Sequence, residues 1–104
     1  MANRLSQLLN LLKDNENDSF LRFAVAKEHE KHGQLHDALH YYQKIVENDP
    51  GYVGVYYHLG KLYEALGQGS RAVETYKAGI EQATGKGDLH AKAELSSALM
   101  ELEM

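Results

Sequence analysis

Two short stripes of side chains, 34 residues apart, have the types and spacing of a protein-binding surface. The first stripe consists of Phe23, Lys27 and Glu30. The second stripe consists of Tyr57, Lys61 and Glu64. Side chains three or four positions apart share one face of a helix, so each stripe would present an aromatic ring, an ammonium and a carboxylate together. An exposed aromatic ring beside a lysine favours binding of another protein, although lysine and glutamate are also common on helix surfaces that bind nothing.

Six histidines make a metal site the next chemistry to consider. His36 and His40 stand four residues apart, a spacing that lets two imidazoles on one helix face hold a transition metal. No third ligand is evident beside them, and the positions 34 residues later hold Ser70 and Glu74, which are typical of a solvated face. We therefore predict no metal site at this pair and no other cofactor. His29 is predicted to be a core residue.

The remaining composition argues against catalysis and against several classes of ligand. The chain has no cysteine, and no nucleophile, base and orienting group are grouped together, so we predict that it is not an enzyme. The Gly-Lys-Gly segment at 85–87 is too short for a phosphate-binding loop and is predicted to be a turn. A net charge of −4 without a basic stripe argues against nucleic acid. Short apolar runs and the lack of a signal sequence predict a cytoplasmic protein that does not enter a membrane.

Helices must position these side chains, because the chain has one proline and mostly 3.6-residue patterning. We predict six helices, over residues 3–14, 20–32, 35–48, 53–66, 70–83 and 89 to near the C-terminus. Gly33 and Gly67 would end the second and fourth helices. Pro50 would stop the third, and Asp18 or Ser19 would cap the second. The short loops predict that neighbouring helices pack antiparallel.

The chain nearly repeats itself with a period of 34 residues, a length typical of stacked helical hairpins. The identical pairs are Lys27 and Lys61, Glu30 and Glu64, Gly33 and Gly67, Gln34 and Gln68, Ala38 and Ala72, Tyr42 and Tyr76, Glu47 and Glu81, and Gly51 and Gly85. Gly60 and Ala72 are small residues placed where two helices would cross closely. Ala26 and Ala38 would mark the corresponding crossing in the first repeat.

The second repeat resembles the tetratricopeptide repeat. The signature is carried by Tyr56, Leu59-Gly60, Tyr63, Gly67, Ala72 and Tyr76. In the first repeat Arg22 replaces the leading aromatic residue and His29 replaces the tyrosine. The resemblance implies one all-α domain, a right-handed solenoid of six helices paired as antiparallel hairpins. Its parts would be residues 1–18 as an N-terminal cap, 19–52 and 53–86 as two full repeats, and 87–104 as a C-terminal cap.

In this family the first helix of each hairpin lines a concave groove that takes an extended peptide or a helix, so the resemblance implies that the two stripes line such a groove. The predicted groove residues are Phe23, Lys27, Glu30, Tyr57, His58, Lys61, Glu64, Lys92 and Leu95. Lysines beside aromatic rings predict an acidic partner segment with an apolar anchor. The carboxylate clamp that some members use to bind chaperone tails is not expected, because Asp88 would repel a carboxylate.

A structural protein that assembles with copies of itself is the alternative to a binding module. Its contacts would come from apolar side chains of the two terminal helices, if these side chains stay partly exposed. The residues concerned are Leu5, Leu9, Leu99, Leu102 and Met104.

Overall fold

The computed structural model describes residues 3–104, and within that range it contains six α-helices and no strand. The helices are α1 (Arg4–Lys13), α2 (Ser19–Lys31), α3 (Leu35–Asn48), α4 (Gly54–Ala65), α5 (Gly69–Lys86) and α6 (Leu89–Glu103). The all-α prediction is therefore confirmed. Every predicted helix end but one lies within about one residue of the observed end, which is the ordinary uncertainty of a helix boundary. None of the helices in this range is both long and apolar enough to cross a membrane.

The helices belong to two compact units. The first contains α1 to α3 and ends at Asp49, and the second begins at Pro50 and contains α4 to α6. In the first unit α2 packs against both α1 and α3. In the second unit α5 packs against both α4 and α6, and α4 also contacts α6.

Side-chain caps explain where three of the helices begin. Asp18 accepts a hydrogen bond from the Leu21 amide at 3.0 Å, so Asp18 rather than Ser19 caps α2. Asp88 accepts from the Ala91 amide at 3.0 Å and caps α6 in the same way. Each cap satisfies one of the amide groups that the first turn of a helix leaves without a partner.

Left-handed glycines end α2 and α4, as predicted. Gly33 and Gly67 have φ angles of 75° and 74°, a conformation that side chains with a Cβ atom rarely adopt. The amide of Gln34 donates to the His29 carbonyl at 2.8 Å, and the amide of Gln68 donates to the Tyr63 carbonyl at the same distance. This six-to-one bond after a glycine satisfies carbonyl groups at the end of the helix.

The predicted turn at residues 85–87 is wrong, because α5 continues through Lys86 and ends at Gly87 with a φ of 68°. The third helix is followed closely by Pro50, whereas the corresponding position after α5 is Thr84. Thr84 keeps its backbone amide and donates its hydroxyl to the Ile80 carbonyl at 2.7 Å, so it fits within the helix. The helix therefore extends until Gly87 provides an end.

The core of the first unit combines small residues with one large aromatic ring. Ala26 on α2 and Ala38 on α3 are fully buried, as expected of small residues at a close crossing, and Tyr42 is fully buried beside them on α3. An ion pair between Arg4 Nε and Glu28 Oε1, 3.1 Å apart, links α1 to α2.

In the second unit two glycines make room for aromatic side chains. A Cβ atom at Gly60 of α4 would collide with the ring of Tyr76 on α5, which is fully buried. A Cβ atom at Gly79 of α5 would lie 2.5 Å from Tyr56 Cβ and 2.9 Å from Leu95 Cδ1 on α6. Real Cβ atoms do not approach other carbons so closely, so both helix pairs depend on a glycine.

Replacement of Gly60 by alanine tests this packing. The new methyl group must displace a buried ring, so we expect the free energy of unfolding to fall by about 1–3 kcal/mol. The matched control is Gly85→Ala, in the same unit, where an added Cβ atom meets nothing within 4 Å. Because Gly85 lies inside α5, that control should raise stability by about 0.5–1 kcal/mol. Urea denaturation measures both, and equal effects of the two substitutions would contradict the proposed crossing.

Candidate functional site

A hydrogen bond between tyrosine and glutamate occurs once in each hairpin. The hydroxyl of Tyr42 on α3 donates to Glu30 on α2, and the hydroxyl of Tyr76 on α5 donates to Glu64 on α4. Both glutamates were predicted as groove residues, and the structure gives each of them a second role, which is to hold the two helices of its hairpin together. Burial raises the pKa of each tyrosine, and the hydrogen bond and negative charge of the glutamate raise it further.

The stripe of the first unit lies on α2. Phe23 is half-buried, and its ring packs against Tyr42 with centroids 5.9 Å apart and a tilt of 55°. Lys27 is exposed one turn later, and Glu30 is half-buried. The predicted order of aromatic ring, lysine and glutamate is therefore present along one helix, with the ring and the carboxylate both in contact with Tyr42.

The stripe of the second unit lies on α4, and its side chains contact one another. Lys61 Nζ lies 5.6 Å from the centre of the half-buried Tyr57 ring, within range of a cation–π interaction. The same nitrogen lies 3.7 Å from Glu64 Oε2. His58 packs edge-on to Tyr57, with ring centres 5.7 Å apart. Tyr57 and Lys61 are thus held in place before any partner arrives.

Tyr57 and Lys61 form one wall of an open groove of about 280 Å³ within the second unit. The other wall belongs to α6. The residues on that wall are His90, Ala93, Glu94, Ser97, Ala98 and Glu101. The groove therefore combines an aromatic ring with one lysine on α4 and two glutamates on α6, and it is wide enough at its opening to admit an extended chain.

The two α6 residues predicted for the groove do not line it. Leu95 is only 1% exposed, and its Cδ1 atom lies over Gly79, so it is a core residue. Lys92 is exposed but does not line this groove. The prediction moved the α4 face onto α6 by the 34-residue period. The missing side chain at Gly79 instead draws Leu95 into the core, and this sets a different rotation of the helix.

The sequence analysis missed Glu94 and Glu101 on the groove wall. A signal for them exists in α6 itself, because the buried or half-buried positions follow helical spacing and identify the core face. These positions are Ala91, Leu95, Ala98 and Leu102. The polar residues beside that apolar stripe then belong to the neighbouring face.

The histidines do not gather into a ligand set. His29 is buried, as predicted; it forms a 2.7 Å hydrogen bond with Gln34 Oε1 through Nδ1, and it stacks on Tyr41 with ring centres 5.6 Å apart. His36 and His40 are exposed. Within residues 3–104 no group of three histidine, cysteine or acidic side chains is arranged to hold a metal ion.

The repeated hairpins, with their glycine ends and small-residue crossings, define a helical repeat protein. The family model for the tetratricopeptide repeat matches residues 30–95, and the chain belongs to this family. Domains of this family act in general as protein-interaction modules. A TPR repeat-containing protein of Pseudomonas aeruginosa is 29% identical over 93 residues, which cover 89% of each chain.

Solved structures of similar proteins share the fold. The crystal structure of a tetratricopeptide repeat domain protein from Salinibacter ruber is 46% identical and has a TM-score of 0.79, covering 83% of this chain and 96% of that one. A Bordetella parapertussis protein is 26% identical with a TM-score of 0.84, covering 99% and 90%. The Yersinia enterocolitica type III secretion translocator chaperone SycD, at 17% identity and a TM-score of 0.86, covers 95% and 69% and is similar in fold alone.

The raised pKa of Tyr42 predicts how its contribution to stability changes with pH. The unfolded tyrosine ionises near pH 10, whereas the buried hydroxyl stays protonated, so the stabilisation is complete below pH 10 and declines above it. The stability difference between the wild type and Tyr42→Phe should therefore shrink by about 1.4 kcal/mol between pH 9 and pH 11. Urea denaturation at the two pH values measures this difference. A constant difference would show that the hydroxyl ionises equally in both states.

Proposed function

We propose that this protein is a non-catalytic interaction module that binds an extended peptide or a helix of another protein in the groove between α4 and α6. The observation that carries the proposal is Tyr57, a half-buried aromatic ring that stands in an open groove beside a positioned lysine. Membership in a family of protein-interaction modules supports the same class of ligand.

The physical basis of binding would be burial of the Tyr57 ring. Tyrosine is enriched among the residues that dominate binding free energy, because it buries a large apolar area at a small entropic cost and keeps a hydroxyl for hydrogen bonding. Contacts with His58 and Lys61 already restrict the ring, so little further order is lost when a partner covers it.

The groove charges refine the predicted ligand. An acidic group of the partner would meet Lys61, as the sequence analysis predicted, whereas Glu94 and Glu101 on the opposite wall would attract a basic side chain. We therefore propose a partner segment with an apolar anchor over Tyr57, an acidic residue towards α4 and a basic residue towards α6. Exposed Lys27 on α2 would add to the preference for acidic groups in the first unit.

Selection of peptides from a displayed random library, with the full chain as bait, would supply a ligand with which to test the site. For the selected peptide, Tyr57→Ala should weaken binding by about 2 kcal/mol, or about 30-fold, because the main anchor is lost. Phe20→Ala is the matched control, since Phe20 is an aromatic residue that is 68% exposed and lies in the other unit. Isothermal titration calorimetry measures the affinities, and equal affinities of the two variants would place the binding surface elsewhere.

Self-assembly remains the second candidate, because the condition set for it is met. Leu5, Leu9, Leu99 and Leu102 are half-buried, and Met104 is fully exposed. Met100 on α6 is also 68% exposed. Apolar side chains grouped on a terminal helix can be covered by a second copy of the chain.

Light scattering distinguishes this candidate from a monomeric binding module. If the terminal helices associate, the mean mass should rise with protein concentration, and Met100→Glu together with Met104→Glu should return it to the monomer value. The matched control is Glu74→Lys, on the exposed face of α5. A monomeric mass at all concentrations would exclude assembly through these helices.

A further inference from the structure

Arg22 occupies the position at which the second unit has a buried aromatic residue. The equivalent residue 34 positions later is Tyr56, which is 2% exposed and donates its hydroxyl to the Pro50 carbonyl at 2.5 Å. In the second unit the polar end of this side chain therefore has a backbone partner. In the first unit a charged guanidinium stands where the aromatic ring would be.

The guanidinium of Arg22 is incompletely satisfied. Its Nη1 atom is buried and has no hydrogen-bond acceptor among residues 3–104. Its Nη2 atom lies 3.5 Å from Asn17 Oδ1, which is at the long limit of a hydrogen bond. A buried charged donor without an acceptor lowers stability, so a structural role of this residue is a poor explanation of its presence.

Arg22 lines a cavity of about 220 Å³ within the first unit, together with a second cation. The lining residues are Leu12, Glu16, Arg22, His40, Tyr41 and Lys44. Lys44 is half-exposed and has one ion pair, with Glu47 at 3.7 Å, which is a weak surface interaction. Among the described residues no ion pair joins Glu16 to Arg22 or Lys44. Two cations therefore face one carboxylate in this cavity.

Tyr41 gives the cavity a rigid wall. Its ring stacks on His29 and meets His40 edge-on, with ring centres 5.6 Å and 5.3 Å apart. The positions that match His40, Tyr41 and Lys44 in the second unit hold Glu74, Thr75 and Ala78, respectively. The cationic lining is thus a property of the first unit and not of the repeat.

We propose that this cavity is a binding site for an oxyanion, either a phosphate or a carboxylate group, in which Arg22 and Lys44 hold the charge. A guanidinium presents parallel N–H groups that match the oxygens of such a group, and the bond is stronger when the donor is buried. An anion in the cavity would supply the acceptor that Arg22 Nη1 lacks. This site is separate from the groove of the second unit and does not depend on the proposed peptide binding.

Titration of the full chain with inorganic phosphate, followed by NMR at constant ionic strength, tests the site. We expect saturable shifts of the amides of Arg22, Tyr41 and Lys44. Arg22→Gln should lower the affinity about tenfold or more, the change produced by losing one charged hydrogen bond. Arg71→Gln is the matched control, since Arg71 is an exposed arginine on α5 of the other unit and should leave the affinity unchanged.

Two further variants keep the test valid if Arg22→Gln disturbs folding. Lys44→Gln alters a half-exposed side chain and should weaken phosphate binding several-fold without changing the melting temperature. Arg22→Tyr copies Tyr56, and it should abolish phosphate binding while the melting temperature stays the same or rises. A parallel titration with acetate separates the two sources of the anion, because saturation by acetate alone would indicate a carboxylate ligand. Failure of both anions to saturate, or equal affinities of Arg22→Gln and Arg71→Gln, would overturn the proposal.

Discussion

The hydrogen bond from a buried tyrosine to a glutamate on the preceding helix is the interaction on which the rest of each unit depends. A buried phenol must find an acceptor, so Tyr42 can be placed only where Glu30 reaches it, and Tyr76 only where Glu64 does. The ring also needs space, which Gly60 leaves open in the second unit. Ring, acceptor and small residue together set the rotation and the height of one helix against the other.

The same bond connects the packing of the second unit to its groove. Glu64 accepts from Tyr76 and also lies 3.7 Å from Lys61, whose ammonium stands near the Tyr57 ring. One carboxylate therefore fastens α4 to α5 and fixes the lysine that a partner would meet. The electrostatics of the groove are in this way a consequence of the hairpin packing, and they need no further element to hold them in place.

Features set by local sequence could be predicted, and features set by the fit between helices could not. Gly33, Gly67 and Asp18 act within a few residues of their own positions, so the helix ends that depend on them were found. The rotation of α6 depends instead on Leu95 entering the space over Gly79 on another helix. Copying the face of α4 onto α6 therefore gave the wrong wall, and it missed Glu94 and Glu101.

Differences between the two repeats are informative because both hairpins have the same physical requirements. Glu30, Tyr42 and Gly33 recur at the matching positions, since each hairpin needs its hydrogen bond and its helix end. Arg22 and Tyr56 do not match, and packing favours the tyrosine, whose hydroxyl is satisfied, over a guanidinium with a buried nitrogen that lacks an acceptor. The unfavourable residue is accounted for by a ligand that supplies the acceptor. On this argument the shared positions build the hairpins, and the differing positions give the first unit an anion site and the second an aromatic groove.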